Sequence, residues 1–369
     1  MRKISLYLVR HYLLNMMSFI AIILSIIYIF DVLEILRRLD DDQTSLTTVL
    51  LMGVLKLPEV GQVVMPFAIM FSAMFTFWQL NRRRELVILR STGLSVWQFL
   101  SPILVAALLL GFFQVLVVNP FSAALLNKFD SYEQTFLSSD NHLVTSLSGG
   151  LWLRQVTPAN NKDEAENEEM IIYSKDIDPK NWTFSDVTIY KFDDKNRFVE
   201  RIDSQSANLK PSGWQFNKAV IHHRREAVKK ISEHTLPTDL TPQDIENSFA
   251  SPETKSFWQL PGLIRHLHQA GFDTNRLRIH FHSLLALPLL FAAMVSIAAV
   301  ISLKPSLRSG GTLQMIMTGI FAAFLIFFLA NFLKALGASN QMPVLIAAWS
   351  PAVITLMIGF GALLSIEDG

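Results

Sequence analysis

Six long stretches without a charged side chain constrain the fold of this chain more than any other feature. They cover residues 12–30, 60–80, 95–126, 279–303, 310–333 and 335–366. A helix needs about 20 apolar residues to cross the hydrocarbon core of a bilayer, and each stretch has about that length or more. The sequence therefore predicts six transmembrane helices, three before and three after a polar insert.

The insert differs from the rest of the chain in charge. Residues 121–276 carry 22 acidic and 18 basic side chains, whereas the remaining residues carry 9 and 14. Only 17% of the whole chain is charged, compared with about a quarter in soluble domains. The absence of cysteine excludes disulfide bonds and thiolate chemistry. These numbers indicate an acidic soluble domain inserted into a basic membrane-embedded part.

Lysine and arginine near the ends of the stretches predict the orientation, because short cytoplasmic loops are enriched in both residues. With the N-terminus in the cytoplasm, the inner segments carry nine of them and the short outer loops carry four. The inner ones are Arg2, Lys3, Arg10, Arg82, Arg83, Arg84, Arg90, Lys304 and Arg308, and the outer ones are Arg37, Arg38, Lys56 and Lys334. We therefore expect both termini in the cytoplasm and the insert outside.

Four segments of the insert have the composition and the rough alternation of β-strands, and they cover residues 170–177, 182–194, 197–209 and 213–223. Turn sequences separate them. Several short strands at this spacing predict a sandwich or a jellyroll. A helix over residues 256–272 is expected to lead back to the fourth span.

The predicted fold class is a membrane α-helical protein with a β insert, in which six transmembrane helices flank a β-jellyroll. Residues 1–126 should hold the first three spans, residues 127–256 the jellyroll, and residues 257–369 a connecting helix and the last three spans. Residues 46–57 are apolar. They are interpreted as an interfacial helix or as an extension of the second span that is broken near Pro58.

Motifs of catalysis and nucleotide binding are absent from the sequence. It contains no G-x-x-x-x-G-K-[ST] for ATP, no G-x-S-x-G and no H-E-x-x-H. Pairs of nearby histidines would point to different faces of a strand or helix, so we predict no metal site. We expect no cofactor and no catalytic residue, and we interpret the chain as a membrane subunit that does not itself hydrolyse ATP.

The charged stretch NRRRELVILRSTGLS, residues 81–95, lies between the second and third apolar runs. Its pattern predicts a short amphipathic helix near residues 82–92 on the cytoplasmic side. One interpretation is a coupling helix, whose apolar residues insert into a groove of a separate ATPase while its charges fix the register. The other is a basic loop that only sets the topology, and the pattern alone does not decide between them.

The stretch RRRELVILRSTGLSVWQF resembles the coupling segment of the LptF/LptG family of lipopolysaccharide export permeases. In that family an S/R-E-L-x-x-x-x-x-x-G-x-S pattern follows the second span. The resemblance covers nearly the whole chain, including DVLEILRR after the first span, LPEVGQVVMPFAIMFSAMF in the second, GGLWLRQ and IYKFDDKNRF in the insert, and LRIHFHSLLALPLLFAAMVSIAAVIS in the fourth. The layout of three spans, a β domain and three spans is also that of the family.

This resemblance implies a setting and partners. The chain would lie in the bacterial inner membrane, with residues of about 127–276 in the periplasm, and would pair with an LptF-type permease. An LptB-type ATPase dimer would dock beneath the pair, and LptC and an LptA-type periplasmic bridge would receive the cargo. The assembly would extract lipopolysaccharide from the outer leaflet of the inner membrane, with ATP hydrolysis on the separate partner.

The resemblance also implies three sets of functional residues. Arg37 and Arg38, otherwise ordinary interfacial anchors, would face lipid A phosphates at an entry gate, paired with Asp31 and Glu34 until substrate arrives. The ATPase groove would receive Glu85, Leu86, Leu89 and Arg90. A path for acyl chains along one face of the jellyroll would use Trp182, Phe184, Ile189, Phe198, Trp214 and Phe216, with Ile172, Val187 and Phe192 as further candidates.

A different class of protein also fits the pattern of spans and insert. A sensor or receptor would have an external ligand domain and no pump, and it predicts no stable association with an ATPase. An intramembrane hydrolase is disfavoured, because the sequence offers no pairing of a nucleophile with a base.

Overall fold

The structure is a computed structural model, and it describes residues 2–38, 45–91, 93, 95–136, 142–147, 150–157, 168–178, 181–192, 197–210, 213–223, 229–236, 238, 252–269, 273–303 and 307–367. The chain divides into two compact units. The first consists of Met1–Phe136, Pro252–Pro261 and Asn275–Gly369, and the second of Leu137–Ser251 and Gly262–Thr274.

The described residues contain nine α-helices. They are α1 (Arg2–Arg38), α2 (Leu46–Arg82), α3 (Glu85–Ser91), α4 (Val96–Phe113), α5 (Asn119–Phe136), α6 (Leu260–Gln269), α7 (Asn275–Leu303), α8 (Leu307–Ala338) and α9 (Val344–Glu367). A π-helical turn, Gln114–Val118, joins α4 to α5, and a 3-10 turn, Pro252–Thr254, precedes α6.

Six helical segments of the described chain are long and apolar enough to cross a membrane. They are α1, α2, the continuous run of α4 and α5, α7, α8 and α9. The six predicted spans are therefore confirmed, and so is their order around the insert. The predicted boundary after residue 126 lies inside α5, which continues to Phe136.

Helix α2 decides between the two interpretations of residues 46–57. It runs without interruption from Leu46 to Arg82 and contains both Pro58 and Pro66. The apolar residues before Pro58 therefore extend the second span. The break that we predicted at this proline is wrong, because neighbouring helices can compensate the backbone bond that a proline removes.

Helix α7 forms the centre of the helical unit. It packs against α2, α4, α8 and α9, and 72% of its most apolar window is buried. Gly111 of α4 lies against Pro288 of α7, so closely that a Cβ atom at residue 111 would lie 2.4 Å from the Pro288 Cα atom. The lack of a side chain at Gly111 therefore sets the approach of α4 to α7.

Amide side chains tie α2 to the π-helical turn and to the segment before α6. Gln114 donates its Nε2 to the Gln62 carbonyl at 3.3 Å, and Asn119 donates its Nδ2 to the Gln62 Oε1 at 3.2 Å. The Asn119 Oδ1 accepts the Phe257 amide at 2.8 Å. Because polar groups buried among apolar helices need partners, these bonds fix the π-helical turn against α2.

The second unit contains a seven-stranded antiparallel sheet. Its strands are β1 (His142–Leu147), β2 (Gly150–Thr157), β3 (Glu168–Asp178), β4 (Thr183–Phe192), β5 (Phe198–Lys210), β6 (Gly213–His223) and β7 (Lys229–Leu236), in that spatial order. β3 to β6 confirm the four strands predicted from alternation, and the sheet between the third and fourth spans confirms the predicted fold class. The described strand pairs form an up-and-down meander, and the crossovers of a jellyroll are not among them.

One face of the sheet is apolar and buried, and we call it the inner face. A row of branched side chains crosses it at one level, since Leu153, Ile172, Ile189, Ile202 and Ile221 stand opposite one another in successive strands. All of them belong to one buried cluster. The alternation of apolar and polar residues therefore places a continuous core along this face.

The opposite face is polar and carries an ion pair. Arg201 donates its Nε and one NH2 group to the Asp203 Oδ1 at 2.9 and 2.8 Å. This hydrogen bonding to Asp203 raises the pKa of the Arg201 guanidinium above its ordinary value. The guanidinium also lies over the Tyr190 ring, 5.6 Å from its centroid. This outer face therefore presents charged and aromatic side chains.

Four successive strands carry an irregularity at the same level. In β4 the buried residues Phe184 and Val187 are three positions apart, and in β6 Phe216 and Ala219 are too, whereas a regular strand repeats every two. The strand pairing skips the level of Lys175, Asp186, Gln205 and Lys218. The register is the same on both sides of this level, so the strands have residues there without a partner in the ladder, and we call this level the bulge line.

Two buried serines bond the backbone at the bulge line. The Ser174 hydroxyl lies 2.9 and 3.0 Å from the carbonyls of Asp176 and Ser185. The Ser204 hydroxyl lies 2.8 Å from the carbonyls of Ser206 and Asn217. Each hydroxyl thus lies within hydrogen-bond distance of two carbonyls, one on its own strand and one on the next strand, where the ladder is interrupted.

Candidate functional site

Helix α3 is a separate helix of seven residues between the second and third spans. Arg84, just before it, has a φ of 60°, and its amide donates to the Asn81 carbonyl at 3.0 Å. Gly93, after it, has a φ of 81°, a left-handed conformation that glycine adopts without strain. The backbone therefore turns sharply on both sides of α3.

The apolar side chains of α3 divide between two directions. Leu86 is only 4% exposed and packs in the core of the helical unit. Ile88 is 61% exposed. Leu86 is thus covered by its own bundle, and its role in a partner's groove remains a prediction. Ile88 is the described apolar residue of α3 that a partner can reach, and the predicted set did not include it.

Glu85 connects α3 to the start of α1. The Tyr7 hydroxyl donates to the Glu85 carboxylate, with distances of 3.1 and 3.4 Å to its two oxygens. An Arg83 nitrogen lies 4.0 Å from the same carboxylate, and the Glu85 side chain remains 31% exposed. The side chains of Leu89 and Arg90 lie outside the described residues, so their predicted role remains a prediction.

The predicted gate lies at the other end of α1. Arg37 and Arg38 are both exposed. Arg38 pairs with Glu34 one turn earlier and reaches Glu133 of α5 at 3.7 Å. The expected pairing of Arg38 with Glu34 is thus present. The contact with Glu133 was not predicted, because it joins residues far apart in sequence.

Asp31 has a different partner from the one predicted. Its carboxylate lies 3.3 Å from the Lys56 Nζ on α2, and it is largely buried. Lys56 also lies over the Phe129 ring, 6.0 Å from the centroid. Asp31 therefore ties α1 to α2, and the prediction that it holds the arginines is corrected.

The predicted acyl-chain residues of the sheet lie mostly together. Phe184, Ile189, Trp214 and Phe216 belong to the buried cluster of the inner face, and Trp182 packs against it. Phe198 is outside this cluster and contacts the Phe192 ring instead, with centroids 6.2 Å apart. The further candidates Ile172 and Val187 are in the cluster, whereas Phe192 is not.

The arrangement offers binding surfaces rather than reactive groups. Among the described residues, no group of three His, Asp or Glu side chains could hold a metal ion. Six candidate spans, a short separate helix between the second and third, and a β insert between the third and fourth define a polytopic membrane protein with a soluble β domain.

Comparison with known proteins identifies the family. Residues 6–365 match the family described as lipopolysaccharide export system permease LptF/LptG. The chain belongs to this family, as a multi-pass inner-membrane permease subunit of a lipopolysaccharide export system.

Relatives of this chain carry the name of one branch of the family. The lipopolysaccharide export system permease protein LptG of Haemophilus influenzae is 21% identical over 309 residues, which are 82% of each chain. The protein of that name from Escherichia coli K12 is 20% identical over 318 residues, 84% of this chain and 83% of its own. The motifs at 150–152, 236–242 and 280–289 also resemble LptG more than LptF.

Proposed function

We propose that this permease subunit draws lipopolysaccharide from the outer leaflet of the inner membrane under the force of a separate ATPase. The observation that carries the proposal is the family match, which extends over both units of the chain. Helix α3 supports it, because Ile88 and the Glu85 carboxylate are accessible while Leu86 anchors the helix in the bundle. A push on α3 is therefore transmitted to the spans.

The cargo explains why an enclosed apolar route and an external energy source are both needed. Each methylene group buried in a membrane contributes about 0.8 kcal/mol, so removing several acyl chains into water would cost tens of kcal/mol. An apolar cavity offsets much of this free energy, and ATP hydrolysis on the partner supplies the remainder. The inner face of the sheet is the proposed continuation of that route, toward LptC and an LptA-type bridge.

Partner helices are proposed to cover the exposed spans. The most apolar windows of α1 and α8 are only 11% and 17% buried within the chain. Such apolar faces contact lipid, cargo or other helices in a membrane. We assign them to a heterodimer with an LptF-type permease and to LptC, with an LptB-type ATPase dimer bound at α3. This orientation puts both termini in the cytoplasm and the sheet in the periplasm.

Co-purification tests the proposal directly. A tagged chain, isolated from its native membrane in mild detergent, should bring down an ATPase subunit and a second permease. Mass spectrometry of the bound lipid should detect lipopolysaccharide. A preparation that contains neither an ATPase nor lipopolysaccharide would favour the receptor alternative.

Charge reversal at the end of α1 should weaken lipid binding. Arg37→Glu together with Arg38→Glu removes two cations that can hold phosphates through charge-assisted hydrogen bonds. We expect the affinity of the purified complex for lipopolysaccharide to fall about tenfold or more, with assembly retained. The Arg37→Lys and Arg38→Lys control should largely keep binding. Normal export by the double glutamate variant would leave these arginines as anchors only.

Photocrosslinking should locate the cargo on the inner face of the sheet. A photoreactive residue at Trp182, which packs at the border of the buried cluster, should label lipopolysaccharide when ATP is hydrolysed. The same residue at Tyr190, on the outer face, should not. Absence of labelling at Trp182, Phe184 and Phe216 would place the route in the paired subunit instead.

A further inference from the structure

The N-terminal helix and the proposed coupling helix share one hydrogen-bonded contact. Tyr7 lies in the second turn of α1, and its hydroxyl donates to the carboxylate of Glu85, the first residue of α3. The two residues are 78 positions apart in sequence. The Tyr7 ring is also held in place, because it packs edge-on against His11 with the ring centroids 4.4 Å apart. The contact therefore has a fixed donor and a charged acceptor.

Glu85 can take part in two contacts at once. An ionised carboxylate offers about four acceptor positions, whereas the Tyr7 hydroxyl has one proton to donate, although it lies near both Glu85 oxygens, at 3.1 and 3.4 Å. The exposed part of the side chain remains available to a partner. Glu85 can thus contact a docked partner through its exposed part and α1 through its hydrogen bond with Tyr7.

Helix α1 is suited to carry a displacement over a long distance. It has 37 residues, Arg2–Arg38, without a proline or a glycine, and at about 1.5 Å per residue it is roughly 54 Å long. Helix α2 has the same length but contains Pro58, Pro66 and two glycines, residues at which helices bend. Helix α1 is therefore the stiffer of the two connections between the two ends of the bundle.

The end of α1 near α3 is bonded to its neighbours by more than Tyr7. Leu8, Tyr12 and Met16 are buried in the core of the helical unit. Asn15 donates its Nδ2 to the Thr76 Oγ1 on α2 at 2.8 Å. These contacts keep Tyr7 opposite Glu85, so a movement of α3 is passed to α1 rather than lost in loose packing.

We propose that Tyr7 is a positioning residue of the coupling site. Its hydrogen bond to Glu85 makes α3 and α1 move together, and α1 carries that movement to Arg37 and Arg38 at its far end. The inference rests on the proposed function, because it assumes that an ATPase moves α3. It adds a route by which events at the ATPase reach the residues that are proposed to hold the phosphates.

Substitution of single atoms tests this role in the assembled complex. Tyr7→Phe removes the hydroxyl and keeps the ring on His11, and Glu85→Gln removes the charge of the acceptor. The matched control is Tyr28→Phe, since the Tyr28 hydroxyl on the same helix donates to the Leu50 carbonyl at 3.2 Å. The measured quantity is the ratio of ATP hydrolysis with lipopolysaccharide to hydrolysis without it.

We expect Tyr7→Phe to lower this ratio roughly 3- to 10-fold, the range for the loss of a hydrogen bond of ordinary strength. The double variant with Glu85→Gln should lose no more than the larger single loss, because both changes break one contact. Tyr28→Phe should keep the ratio of the unmodified complex. A Tyr7→Phe ratio equal to that of Tyr28→Phe, or losses that multiply, would overturn the inference.

A structural readout separates positioning from general stability. The chain has no cysteine, so spin labels can be attached through Leu6→Cys and Ser91→Cys, both at exposed positions. Tyr7→Phe should broaden the distribution of distances between the labels, and an unchanged distribution would contradict a fixed link. If the unmodified complex shows no stimulation by lipid, the proposed function fails. If it is stimulated and Tyr7→Phe has no effect, only the role of Tyr7 fails.

Discussion

Glu85→Lys should remove most of the lipid-stimulated ATP hydrolysis of the assembled complex, by about 30-fold or more. The substitution places a cation beside Arg83, which lies 4.0 Å from the present carboxylate, and it removes the acceptor of the Tyr7 hydroxyl. Loss of one partner in a hydrogen-bonded charge contact costs about 2–5 kcal/mol at an interface. The stimulated rate of purified complexes in nanodiscs measures this effect.

Ser91→Lys is the matched control for this prediction. Ser91 is the last residue of α3 and is exposed, so the variant adds the same charge to the same helix without disturbing Glu85. It should insert, assemble and respond to lipid like the unmodified chain. Equal coupling in Glu85→Lys and Ser91→Lys would reject the coupling-helix assignment and leave the interpretation of residues 81–95 as a topogenic loop.

Gly111→Ala should destabilise the helical unit strongly. The new methyl group would lie 2.4 Å from the Cα and 2.9 Å from the nitrogen of Pro288, and backbone atoms cannot move aside as a side chain does. Overpacking costs about 1–3 kcal/mol even when side chains can adjust. We expect the midpoint of thermal unfolding in detergent to fall by about 5 °C or more, measured by intrinsic tryptophan fluorescence.

Two other glycines provide controls of graded severity. A Cβ atom at Gly319 would also meet an atom at 2.4 Å, but that atom is the terminal Cε of Met74, and a methionine side chain is flexible enough to move. A Cβ atom at Gly361 would meet nothing within 4 Å. Gly319→Ala should therefore be mild and Gly361→Ala nearly neutral. A midpoint for Gly111→Ala equal to that of Gly361→Ala would show that α4 and α7 do not pack as described.

The spans were predictable because the length of an uncharged apolar stretch can be read from neighbouring residues in the sequence alone. An uncharged run of about 20 residues identifies a span without knowledge of its neighbours. Each of the six spanning segments holds most of one run, although the run at 335–366 begins in the last turn of α8. The continuity of α2 through Pro58 was not predictable in this way. It depends on which helices pack beside the proline, and that information is not local.

The direction of side chains on α3 shows the same limit. The pattern of residues 85–91 correctly indicates a helix, and both Leu86 and Ile88 are apolar. An apolar side chain on a helix at the surface of a bundle can pack against its own bundle or against a partner protein. Periodicity alone does not show which of the two a given residue contacts. The partners of Asp31 and Arg38 were missed for a related reason, since Lys56 and Glu133 come close only after the helices pack.

The strands of the insert were predictable and their inner face only in part. Alternation identified β3 to β6, but at the bulge line the inward-facing positions of a strand change from even-numbered to odd-numbered residues, or the reverse. Phe184 and Val187 both face inward although one is even-numbered and the other odd. Phe198 has the same parity as the buried Ile202, but it is the first residue of β5, only half-buried and absent from the cluster, because it lies at the end of the strand.

The bulge line also determines how the sheet can deform. Regular pairing is interrupted at one level in four adjacent strands, and the Ser174 and Ser204 hydroxyls supply side-chain bonds there. Because fewer ladder hydrogen bonds cross this level, we expect the sheet to bend more easily along the bulge line than on either side of it. Such bending would leave every strand paired with its neighbours.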